Sequence, residues 1–121
     1  MMMASDDPGL ERLLELDGLL VEIGGGFWMK VVAKRVPPDI SRPQGIAYAL
    51  TLHDPTGERI FGIDNAHSVR VTRGPAGRLR SEHDHLHRGN TVRPYRYRDA
   101  DTLLDDFLRE VTAILRKEGI E

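Results

Sequence analysis

The sequence predicts an α+β protein: a single antiparallel β-sheet of about five to six strands, with a long C-terminal helix packed on one face and a short helical segment in front. Two observations carry this. From Leu19 onward, short runs rich in branched and aromatic residues follow one another, broken by glycine- and proline-bearing turns. After Asp99 the period changes: Leu103, Leu104, Phe107, Leu108, Val111, Ile114 and Leu115 recur at three- and four-residue spacing and form one apolar stripe. Strands followed by one amphipathic helix form two layers, and the second face of the sheet is left for solvent or a partner.

The elements follow in order. Residues 1–9 are expected to be disordered, and residues 10–121 to make one α+β domain. Leu10, Leu13, Leu14 and Leu16 fit a short helical turn that Gly18 can end. Leu19–Ile23 reads as a strand, and Gly24-Gly25-Gly26 as a hairpin loop into a second strand over Phe27–Val36. The triple glycine is no phosphate-binding loop, because it joins two strands and no Lys-Ser/Thr helix start follows. Prolines 37, 38 and 43 make the next stretch a loop. Ile46–His53 and Glu58–Asp64 are strands joined by the turn Asp54-Pro55-Thr56-Gly57. A further short strand is expected at Ser68–Thr72, then a basic loop over Arg73–Gly77. The closing helix spans Ala100 to Glu118, with Asp99 or Asp101 as its cap and Arg116 and Lys117 at the negative end of its dipole. Phe27 and Trp28 are expected to pack in the core or against a helix.

A chain of 121 residues is long enough for one core. The formal net charge of -2 hides an asymmetry. The first two dozen residues are acidic, whereas Arg70, Arg73, Arg78, Arg80, Arg88, Arg93, Arg96 and Arg98 meet only Glu82 and Asp84 nearby. That local excess of cations, not the bulk charge, suits a nucleic acid. There is no cysteine, which excludes disulfides and thiolate metal sites. No apolar run approaches the ~20 residues that cross a bilayer, and no basic-apolar leader is visible, so a cytoplasmic protein without membrane contact is expected.

The chemistry concentrates between Glu82 and Arg98. His83, His85 and His87 alternate, so an extended backbone places them on one face. Imidazole titrates near ~6.5 and can serve as both general base and general acid at neutral pH. Arg88, next to them in sequence, is the expected cation for a phosphorane, and Asp64 would orient a histidine if the two strands are neighbours. Arg93, Arg96, Arg98, Arg70 and Arg80 are the expected phosphate contacts. The same histidines with His67, Asp64 or Asp84 could hold zinc, but no second motif with ligand spacing accompanies them, and no cofactor is expected. The plainer reading of the cluster is an exposed polar loop or a strand edge. Tyr95 and Tyr97 share a face and suit core packing better than base stacking.

From about Gly26 onward the chain resembles the TumE-like toxins of bacterial toxin–antitoxin systems. The resemblance is carried by Trp28-Met29-Lys30-Val31, by Pro43-x-Gly45-Ile46-x-Tyr48-x-Leu50-Thr51-Leu52-His53-Asp54, and by Gly62-Ile63-Asp64-Asn65-Ala66-His67. Asp84-His85-Leu86-His87-Arg88, Pro94-Tyr95, and Asp99-Ala100 leading to Leu104-x-Asp106-Phe107 continue it in order. It implies a toxin neutralised by a partner antitoxin protein, and it supplies no catalytic mechanism. The expected function is therefore a toxin acting on nucleic acid, with RNA cleavage by His85, His87 and Arg88 as the leading reading. The alternative is a binding module whose basic face docks an antitoxin or nucleic acid without chemistry. RNA and a second copy of the chain, as a homodimer, are further candidate partners.

Overall fold

The computed structural model describes residues 7–40, 42–65 and 84–120. Six strands, β1 (Leu20–Gly24), β2 (Phe27–Arg35), β3 (Ile46–His53), β4 (Arg59–Asp64), β5 (Asp84–Arg88) and β6 (Thr91–Tyr95), lie in one sheet in sequence order. Every neighbouring pair is antiparallel. The helices are α1 (Leu10–Glu15) and α2 (Ala100–Lys117). This is the α+β arrangement that the strand runs and the apolar helix stripe predict.

The tight connections follow from glycine. Gly25 and Gly26 turn β1 into β2 with φ of 60° and 85°, a left-handed pair that matches the twist of the flanking strands. Gly89, at φ 58°, opens the two-residue turn between β5 and β6. The expected strand over Ser68–Thr72 and the loop Arg73–Gly77 lie outside the described residues. β6 stops at Tyr95, so Arg96 and Arg98 lie beyond the strand and not on it.

In β3 the burial alternates without a break: Ile46, Tyr48, Leu50 and Leu52 are buried, and Ala47, Ala49, Thr51 and His53 are half-buried. The buried set faces α2. Phe61 of β4 stacks on Phe107 of α2 with ring centroids 5.8 Å apart, and Ile63, Leu86, Leu103 and Val111 complete this layer. Asp99 caps α2 by accepting the Thr102 N–H at 2.7 Å. Leu108, counted in the predicted stripe, is 43 % exposed, because Leu103, Phe107 and Val111 at four-residue spacing set the buried line and Leu108 stands one position round from it. α1 buries Leu10 and Leu13 on the same side of the sheet. Asp7, in the segment expected to be disordered, accepts hydrogen bonds from the Tyr97 hydroxyl and, at 2.8 Å, from the Ala100 N–H.

Polar groups inside this layer are paired. The Tyr48 hydroxyl donates to Asp84 Oδ2 at 2.6 Å, and burial first, then the Asp84 charge, pushes the phenol well above its usual pKa. Asn65 extends the β3–β4 ladder with its side chain, accepting the Tyr48 N–H and donating to Ile46 O, each at 2.9 Å. Both helices sit on one face, so among the described residues no helix covers the opposite face, called the open face below. Among the described residues no helix is long and apolar enough to cross a membrane.

Candidate functional site

The open face is read directly from the strand register. One row across the sheet runs Lys30, Thr51, Gly62, His87 and Val92; the next runs Val32, Ala49, Asp64, His85 and Pro94. Asp64, His85 and His87 therefore share the face that carries no helix among the described residues. His87 Nε2 lies 3.1 Å from Asp64 Oδ2, with side-chain exposures of 19 % and 11 %. His85 is the direct cross-strand partner of Asp64, and its ring centroid is 6.2 Å from that of His87.

The chemistry of His87 is set by competing effects. Burial lowers its pKa most; the Asp64 carboxylate opposes this, and the charges of Arg59 and His85 add to the lowering. The net direction is downward, so near neutral pH the imidazole is uncharged. A neutral His87 that donates Nε2–H to Asp64 carries its lone pair on Nδ1, which makes Nδ1 the proton acceptor.

Arg59 reaches this group through an irregularity in the sheet. Strict alternation from Asp64 and Gly62 would bring Ile60 to the open face opposite His53. Instead the register shifts after Leu52, and Arg59 pairs with His53. Such a bulge re-aims a side chain. Arg59 Nη1 comes to 3.9 Å from Asp64 Oδ2, a loose pair that leaves the guanidinium 42 % exposed. Gly62 packs closely on β3: a Cβ there would lie 3.2 Å from Thr51 Cγ2 and from Leu50 O, with Arg59 Cδ in ordinary contact at 3.5 Å.

Arg88 does not join its sequence neighbours. It is one residue from His87 on the same strand, so it faces the other way. Its guanidinium sits 5.2 Å over the Phe61 ring, and its Nη2 donates to Glu110 Oε1 of α2 at 3.1 Å. Arg93 is likewise on the helix side. It lines a cleft of about 330 Å³ with Tyr95, Arg96, Asp106, Arg109 and Glu110. The expectation that one open face carries both the histidines and the arginines is thus corrected: alternation separates Arg88 and Arg93 from His85 and His87. Arg96 and Arg98 are exposed past the end of β6. Asp84, weighed as a metal ligand, is on the helix side with Tyr48. His83, His67, Arg70, Arg73, Arg78 and Arg80 lie outside the described residues. Among the described residues no three histidine or carboxylate side chains are grouped to hold a metal ion.

Tyr95 and Tyr97 pack against the core, with their hydroxyls on Asp106 and Asp7, as expected. Trp28 does not. It stands on the open face, half-buried, stacked on His53 with ring centroids 4.1 Å apart and planes within 5°. The alternation of β2 buries Phe27, Val31 and Ala33 and turns Trp28 and Lys30 to the other side.

A family model described as Toxin TumE matches residues 30–115, a span that contains Arg59, Asp64, His85 and His87. The chain belongs to the TumE toxin family. No curated protein and no solved structure matches it significantly. As a TumE toxin it is the toxin component of a toxin–antitoxin system, and an antitoxin is its partner. The family match covers most of the chain, from within β2 to near the end of α2.

Proposed function

We propose that this toxin cleaves RNA on the open face of its sheet, with His87 and His85 moving protons and Arg59 supplying the cation. One observation carries the reading: a half-sheltered His87–Asp64 pair at 3.1 Å, with a second imidazole 6.2 Å away and a guanidinium beside them. Asp64 accepts the Nε2–H hydrogen bond and orients the ring, so His87 Nδ1 accepts the proton of a ribose 2′-hydroxyl. The 2′-oxygen attacks phosphorus, the bond from phosphorus to the 5′-oxygen breaks, and His85 gives that oxygen a proton. The products are a 2′,3′-cyclic phosphate and a free 5′-hydroxyl. Arg59, which needs no proton exchange to stay charged, stabilises the phosphorane.

A second reading, a binding module without chemistry, has its own support. Arg93, Arg96 and Arg98 are exposed along β6 and beyond it, apart from the histidines. An acidic antitoxin segment suits that side whether or not the open face reacts. The experiment that separates the two incubates purified toxin with single-stranded RNA and examines the product ends. The enzyme reading expects cyclic phosphate ends, and losses of roughly 10²–10⁴-fold in His87→Ala and His85→Ala at unchanged thermal stability. RNA bound but uncut leaves the binding module as the better account.

A further inference from the structure

We infer that the Trp28–His53 stack is a nucleobase subsite, taking the base of a nucleotide that flanks the reacting phosphate; this rests on the RNA reading above. The two residues are direct cross-strand partners whose rings lie parallel 4.1 Å apart, about one strand spacing. Their planes therefore stand across the line from β2 to β3, and the second face of the imidazole is turned toward β4. There it looks onto Arg59, its partner on that strand.

The imidazole is fixed in that attitude. His53 Nδ1 lies 3.1 Å from Gly57 O and Nε2 lies 3.0 Å from Thr51 Oγ1. A carbonyl only accepts, so Nδ1 carries a proton. The row across the sheet runs Glu22, Trp28, His53 and Arg59, so a cation stands beside the imidazole and a carboxylate beside the indole, and Lys30 is exposed one step along the same face of β2. A rigid aromatic plane with cations near it is what single-strand binders use, with ring faces for bases and cations for the backbone, and here Arg59 and Lys30 are the cations. β3 is two strand spacings from β5, about 10 Å, so a base on His53 belongs to a nucleotide beside the one at His87. Stacking tolerates every base, so this subsite would recognise an unpaired base rather than a given letter.

Trp28 is the sole tryptophan, so its emission reports on the site without a label. The test titrates intact toxin with a deoxy-substituted single-stranded oligonucleotide, which lacks the 2′-hydroxyl and stays uncut, and with an abasic oligonucleotide of equal length. The base-bearing strand is expected to quench Trp28 and to bind about 5–150-fold tighter than the abasic one. Trp28→Ala and His53→Ala are expected to lose that preference while keeping the abasic affinity, and Trp28→Phe to retain it. Equal affinity for both strands, measured on the unaltered protein, overturns the subsite, as does a loss in the variants that is the same for both. Cleavage that needs His87 but shows no base preference sinks the subsite and leaves the reaction standing. Base-dependent binding without cleavage does the reverse.

Discussion

Replacing Asp64 with Asn removes one charge and leaves the shape, which makes it the sharpest probe of the proposed site. Asp64 Oδ2 is 3.1 Å from His87 Nε2, and neither group is more than a fifth exposed. When His87 accepts a proton, the new cation faces that carboxylate. At ~4 Å such a pair is worth about 1 kcal/mol in water and about 4 kcal/mol at the dielectric typical of a protein surface. Arg59 already draws on the same oxygen and reduces the higher figure, which leaves about 2–3 kcal/mol. Asp64→Asn should then lower kcat/KM by roughly 30–150-fold. The pH profile gives a second readout with a fixed sign. Burial holds His87 below the usual imidazole value, so the acid limb of the wild type should fall below about 6.5. Asp64 is the group that raises this pKa, so its neutralisation should move the limb further toward acid. If the plateau and the limb of Asp64→Asn both equal those of the wild type, Asp64 takes no part.

Three further outcomes follow. Phe107, 1 % exposed and stacked on Phe61, should cost about 3–5 kcal/mol as Phe107→Ala, a fall in Tm of about 10–20 °C, and an unchanged melt would contradict the packing of α2. If Arg59 meets a phosphate, Arg59→Ala should flatten the plot of log affinity against log salt by about 0.7, whereas an unaltered slope removes it from the RNA contacts. Because the folded state holds His87 below its unfolded pKa, the unfolded chain binds more protons as pH falls below about 6.5, and stability is lost there; His87→Gln should reduce that loss in thermal melts at pH 7 and pH 5, and parallel losses would deny it.

Much of the fold is legible because each rule works locally. The β3 strand is bounded by its own alternation, the β1–β2 and β3–β4 turns by glycine and proline, and α2 by a stripe and a cap. His85 and His87 on one face follow from period two alone. The same rule, applied one residue further, removes Arg88 from them, and nearness in sequence is the wrong guide there. Trp28 is also within reach, since Val31 and Ala33 give the parity of β2 and put Trp28 opposite them. Arg59 is not. A one-residue register shift turns it to the face that alternation denies it, and nothing in Glu58-Arg59-Ile60-Phe61 announces the shift. The pairing of Asp64 with β5 is likewise a matter of which strands become neighbours, which pattern along the chain does not specify.

Growth arrest on induced expression tests the central claim most directly when His87→Ala is set beside Arg88→Ala, with thermal melts confirming that both fold. If RNA is cut on the open face, His87→Ala relieves the arrest and Arg88→Ala, on the helix side with Glu110, remains toxic. A toxic His87→Ala beside a harmless, folded Arg88→Ala would contradict the account and move the active surface to the other side of the sheet.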